Sequence, residues 1–308
     1  MELPPRLRYK FEKLKSIFRS ALISKEATFD NAYRMCPACR ALIARNAASC
    51  TLCGTSLKAP RTRESSAPGR VLGGLIPVPS TATSALVAAN IALFSISWYL
   101  TQAAASALKP APSLGGIDGE VLLRLGSTHQ IHPGEWWRLV TAIFLHAGLL
   151  HIGMNLWCLI DLGPAVESLF STPKFICLYL VTGVAGFIVS GMLNPGGNSV
   201  GASGAILGLI GVLIGASFHH GQTGKAYRGE LWKWVMYIAI IGLMGLGVDN
   251  AAHAGGLLSG LLLGYLVPEG EPDTRSSENL WNVLAVASVV IIAGSFALMA
   301  LQLNSPLQ

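Results

Sequence analysis

Seven stretches of this chain are apolar for long enough to cross, or nearly cross, a lipid bilayer, and that feature excludes most folds. They lie near residues 84–107, 141–162, 174–193, 203–218, 231–247, 250–267 and 280–303. A hydrocarbon core about 30 Å thick takes about 20 residues of helix. Inside it each segment must pair its own backbone N–H and C=O groups, so such stretches fold as helices. Composition agrees: 52% of residues are apolar and 12% charged, against about 25% charged in soluble domains. The expected class is an all-α polytopic membrane protein.

Charge divides the chain. Residues 1–70 hold 14 of the 22 Lys and Arg and 5 of the 16 Asp and Glu, a net +9 that leaves the other 238 residues at −3. Within residues 1–30, Leu7, Phe11, Leu14, Phe18 and Leu22 recur at helical spacing with Arg6, Lys10, Lys13, Lys15 and Arg19 between them. This pattern predicts a basic amphipathic segment on an anionic membrane surface in preference to a nucleic-acid contact. A polar linker follows at 59–80, carrying Pro, Ser and Arg.

Between these segments, in residues 31–58, Cys36-Pro-Ala-Cys39 and Cys50-Thr-Leu-Cys53 are separated by ten residues. Two CxxC knuckles this close offer four thiolates at tetrahedral spacing, the donor set of a closed structural zinc site. The expectation is a small zinc-ribbon-like module folded by its metal, with an unknown cytoplasmic partner. Two disulfides would instead require an oxidising compartment. Cys158 and Cys177 lie in apolar runs and read as buried thiols.

Basic residues concentrate on the cytoplasmic side of membrane proteins. This places the N-terminus in the cytoplasm and, after seven spans, the C-terminus outside, in a multi-pass plasma (inner) membrane protein. The fourth span is short: sixteen residues cover only about 24 Å. The Asn194–Gly201 stretch before it must therefore line a watered, protein-enclosed cavity. Ser203, in Gly201-Ala-Ser203-Gly204, begins that span, and His253, in Ala252-His253-Ala-Gly-Gly256, lies near the start of the sixth. Both spans run inward, so Ser203 and His253 fall at similar depth. Gly204, Gly208, Gly211 and Gly215 face a second stripe at Gly256, Gly260 and Gly264, and such small residues let helices approach closely. A serine beside a histidine in a wet pocket is a nucleophile and base for acyl transfer. His151 and Asn155, at i and i+4 on the second span, can donate to an oxyanion, as can the backbone at the Ser203 helix start. His146 reads as a structural hydrogen-bonding residue, and Asp249 as an N-cap of the sixth span.

These motifs together resemble the rhomboid intramembrane serine proteases: Gly201-Ala-Ser203-Gly204, Ala252-His253-Ala-Gly-Gly256, His146 followed by His151-Ile-Gly-Met-Asn155, Trp137-Arg138, and Glu167 in Gly163-Pro-Ala-Val-Glu167. The resemblance covers about residues 80–268. It implies a six-helix catalytic core at 81–268, with a loop and seventh helix at 269–308. Ser203 would be the nucleophile and His253 the general base. His151, Asn155 and the Ser203 N–H would form the oxyanion hole. Trp137 and Arg138 would belong to a loop half-embedded in the outer leaflet, and Glu167 would be structural. The implied activity is cleavage of transmembrane helices of membrane-protein substrates near the outer face, with no cofactor for catalysis. A proteolytically inactive rhomboid-like protein that binds membrane clients is one alternative. A transporter using the intramembrane histidines is another.

Overall fold

A computed structural model describes residues 33–35, 42–44, 49–50, 53–55, 80–105, 111–112, 115–128, 134–244 and 247–303. The chain divides into two compact units, Met1–Ala67 and Pro68–Gln308. In the first, β1 (Tyr33–Met35) pairs antiparallel with β2 (Leu42–Ala44), Tyr33 opposite Ala44. The basic segment 1–30, Cys36, Cys39 and nearly all of the linker 59–80 lie outside the described residues.

The second unit is helical. Its long elements are α1 (Thr81–Ala104), α4 (Leu149–Phe170), α5 (Thr172–Leu193), α6 (Ser203–Ala216), α7 (Gly221–Leu243), α8 (Asn250–Leu266) and α9 (Arg275–Gln302). Two short helices, α2 (Gly119–Arg124) and α3 (Arg138–Thr141), lie between α1 and α4. Among the described residues, five helices are long and apolar enough to cross a membrane: α1, α4, α5, α9, and α6 with the 3-10 turn that extends it to His220. Of the other two, α7 carries Lys225, Arg228, Glu230 and Lys233 along its first half, and α8 has 17 residues.

Two apolar stretches fold differently from the sequence expectation. The second span is not one helix from 141. Its first residues form the end of α3 and a 3-10 turn, Ala142–Phe144, and the backbone is extended at Leu145 and Gly148 before α4 begins. Tertiary hydrogen bonds hold this break: the Gly201 N–H donates to the Ala142 carbonyl at 2.9 Å and the Ile117 N–H to the Ala147 carbonyl at 2.9 Å. At its other end α4 continues through Pro164 to Phe170. The loop expected at 219–230 is mostly the beginning of α7.

The core centres on α6. Every residue from Gly204 to Ala216 is buried, as an all-round apolar helix requires. It packs on α8 with backbones nearly touching. A Cβ at Gly256, Gly260 or Gly264 would overlap the carbonyl oxygen of Gly204, Gly208 or Val212 respectively. From the other side, a Cβ at Gly211 or Gly215 would overlap the Leu257 or Leu261 carbonyl. Gly208 differs from the simple stripe: its Cα faces α8, whereas its missing side chain makes room for Thr182 of α5.

Helix ends are tied by buried charges. The Glu167 carboxylate accepts the N–H groups of Ala82 (3.2 Å) and Thr83 (3.1 Å) and the hydroxyls of Thr83 (3.0 Å), Thr172 (2.8 Å) and Ser80. It thereby satisfies the exposed donors at the start of α1 from a different helix. The Lys174 ammonium donates to the carbonyls of Pro268 (2.7 Å) and Gly270 (2.9 Å) just beyond α8 and lies 5.7 Å from the Trp281 ring of α9. At the opposite end of the bundle, Ile117, Val121, Leu122 and Leu125 of the α1–α4 connection form a second apolar cluster with Phe94, Leu145 and Ile152.

Candidate active site

Ser203 is the first residue of α6. The turn before it is pinned by the Gly201 bond to Ala142 and by Thr128, which donates its N–H (3.2 Å) and hydroxyl (3.1 Å) to the Ser199 carbonyl. Gly201 has φ +128°, a conformation suited to glycine. A Cβ there would lie 2.7 Å from both Cε1 and Nε2 of His151 and 3.8 Å from Ser203 Oγ. The His151 ring and the Ser203 hydroxyl thus flank the same glycine.

His253 is the fourth residue of α8. The Asp249 carboxylate caps that helix, accepting the Ala252 N–H at 2.9 Å and the Ser190 hydroxyl of α5. Asp249 is therefore the N-cap that its position predicted. The buried Nδ1 of His253 makes no hydrogen bond among the described residues. The Ala252 carbonyl lies 3.4 Å from where a Gly204 Cβ would be and 2.7 Å from where a Gly186 Cβ would be. Ser203 and His253 each sit one residue from this three-helix contact.

Asn155 is buried on α4, one turn from His151, and donates Nδ2 to the His151 carbonyl at 2.8 Å. An amide nitrogen has two hydrogens, so one remains. His151 Nδ1 accepts the Ala147 N–H at 3.4 Å, which puts the ring proton on Nε2, the nitrogen beside Gly201. His146 is not on the helix with His151. It sits fully buried in the connection before α4, its ring edge-on to His151 with centroids 5.1 Å apart.

Trp137 and Arg138 belong to the α1–α4 connection, but Trp137 does not face outward. It is 1% exposed, and the adjacent Trp136 is 51% exposed. Arg138 packs on the Trp137 ring. Its guanidinium lies 4.6 Å over the Trp137 ring, donates to the Leu123 carbonyl at 2.7 Å and pairs with Glu135 at 3.0 Å, fastening the end of α2. Glu167 is far along α4 from His151 and serves α1. The Ser190–Asp249 bond was not foreseen. It joins residues 59 apart in sequence, and neither carries a motif that points to the other.

Among the described residues no three His, Cys, Asp or Glu side chains gather as a metal site. Of the four expected zinc ligands, Cys50 and Cys53 are described. Their knuckle is closed by Cys50 N–H to the Thr55 carbonyl (2.9 Å) and Gly54 N–H to the Cys50 carbonyl (2.9 Å).

Residues 133–270 match the Rhomboid domain. The chain is 34% identical over 201 residues to RHOMBOID-like protein 1 of Arabidopsis thaliana, covering 59% of this chain and 52% of that protein. It is 36% identical over 153 residues to Rhomboid protease GluP of Bacillus subtilis, covering 47% of this chain and 29% of GluP. It is 31% identical over 218 residues to RHOMBOID-like protein 5 of Arabidopsis thaliana, covering 62% of this chain and 70% of that relative. The chain thus spans about half the length of the first of these relatives and less of the second. The matched domain runs from the turn before α3 to the end of α8, the segment that carries Ser203, His253, His151 and Asn155, and the chain belongs to the rhomboid family.

Proposed function

We propose that the chain is an intramembrane serine endopeptidase that cleaves transmembrane segments of membrane proteins with a Ser203–His253 dyad. The observation that carries this reading is the glycine-mediated contact of α6 and α8, with Ser203 and His253 each one residue from it and the His151 ring beside Gly201. Ser203 Oγ attacks the scissile carbonyl carbon while its proton passes to His253. The Ser203 N–H, His151 Nε2–H and the free Asn155 amide hydrogen take the developing oxyanion. His253 then returns the proton to the departing amine, and water releases the acyl group by the same steps in reverse. A dyad accounts for Asp249 better than a triad does. Its carboxylate already accepts Ala252 N–H and Ser190, and the His253 nitrogen that an orienting acid would hold has no partner among the described residues.

In this reading all seven long helices cross a plasma (inner) membrane, with the N-terminus cytoplasmic, the C-terminus outside and the dyad near the outer face. Similarity to GluP of Bacillus subtilis, a rhomboid protease by name, supports the activity. Cys36, Cys39, Cys50 and Cys53 would hold a structural zinc ion. Supporting this are the four-sulfur donor set, the tight Cys50–Thr55 turn, and a β1–β2 hairpin whose connection contains the other CxxC.

A fluorophosphonate probe and a model transmembrane substrate test the dyad. Ser203→Ala and His253→Ala should each abolish cleavage in a folded protein, and the double variant should be no worse than either, because members of one catalytic unit are not additive. Substantial cleavage by Ser203→Ala would identify the wrong nucleophile. A wild-type protein that binds the substrate but neither labels nor cleaves it would favour a client-binding role.

A further inference from the structure

A cleft between α4 and α7 contains an acidic group that the proposed chemistry does not use. Trp157 of α4 and Trp234 of α7 meet edge to face across it, with centroids 6.3 Å apart. Beside them lies a small cleft lined by Ile210 of α6 and by Cys158, Leu162 and Ile238. Its one charged lining residue is Asp161. On α4, Leu150, Met154, Trp157 and Asp161 recur at helical spacing and are all exposed, forming an apolar stripe that ends in a single carboxylate.

Asp161 makes no hydrogen bond or ion pair among the described residues. The nearest basic helix, α7, does not supply a partner. Arg228 donates to the Ser217 carbonyl at 2.8 Å and lies over Phe218, and Lys233 pairs with Glu230. An unpaired carboxylate in a membrane-crossing segment is expensive, which makes its position a candidate for function. A cationic side chain in another transmembrane helix carries the same penalty, and each can relieve the other.

We propose that Asp161 selects client transmembrane helices that carry Lys or Arg near mid-membrane. The inference rests on the protease reading for its register. His151 and Asp161 are ten residues apart on α4, about 15 Å along the axis. A client helix lying along the exposed stripe, its cut bond beside His151, brings a residue about ten positions further along to Asp161.

The test uses full-length Ser203→Ala protein in phosphatidylcholine nanodiscs. Two fluorescent transmembrane peptides differ only in Lys or Leu at the central position. The Lys peptide should bind roughly tenfold more tightly, the lower end of measured charge-pair coupling. Asp161→Asn should erase the difference and leave Leu-peptide binding unchanged. Asp161→Lys should invert it toward a peptide bearing Glu. Equal binding of the Lys and Leu peptides, or a preference that survives Asp161→Asn, overturns the proposal. Selective binding without cleavage by the unsubstituted protein would instead overturn the protease reading and leave the charge pairing standing.

Discussion

At the scale of single residues, the site depends on small groups and on one hydrogen-bond direction. His151 can donate to an oxyanion only as the Nε2–H tautomer, and the Ala147 N–H on Nδ1 selects that form. Removing an oxyanion donor typically costs ~10²–10³ in rate. His151→Ala should therefore lower kcat on a model transmembrane substrate by about that much. Asn155→Ala should cost less, because half of its amide is already engaged with the His151 carbonyl. If neither slows turnover in a single-turnover assay, α4 has no part in the chemistry. Glu167 acts at a distance from this site, through the start of α1. Glu167→Ala strips that helix end of a charged acceptor, and hydrogen bonds to charged groups are worth about 1.5–3 kcal/mol. A clear fall in unfolding temperature with Ser203 labelling retained in the folded fraction would fit that role. Unchanged stability would contradict it.

Among elements, the α6–α8 contact has least tolerance. Gly260 has no room for a Cβ against the Gly208 carbonyl, and Gly294 of α9 has open space. Gly260→Ala should spread the two helices, costing about 1–3 kcal/mol or more by overpacking and reducing probe labelling of Ser203. Gly294→Ala should be neutral or slightly stabilising, since alanine is the better helix former by about 1 kcal/mol. Equal effects of the two in thermal unfolding would show that close backbone approach is not what sets the site. The spacing of these glycines was legible in the sequence. The role of Gly208 was not, because a glycine that admits Thr182 from a third helix looks the same in sequence as one that admits a backbone.

For the whole molecule, the proposed zinc ligands and the proposed dyad fall in different units. The cysteine unit should bind about one zinc per chain, measurable by metal analysis of the purified protein, and lose it on joint Cys36→Ser and Cys39→Ser substitution. Metal-free wild-type protein would remove the zinc reading and leave the dyad untouched.

The sequence alone determined the helical membrane class, the split into a basic cysteine unit and an apolar bundle, and the candidate residues Ser203, His253, His151 and Asn155. Those properties are written in local pattern: run length, charge bias, glycine spacing and short motifs. It did not determine where α4 and α7 begin, because the break before α4 is held by bonds from Ile117 and Gly201, and the start of α7 folds back on the Ser217–His220 turn through Arg228. It also did not determine that Trp137 is buried and Trp136 exposed, or that Arg138 reaches the end of α2. The partners of Asp249 and Glu167 likewise emerged only in three dimensions. Each carboxylate satisfies groups on helices dozens of residues away, and no pattern along one strand of sequence encodes such a meeting.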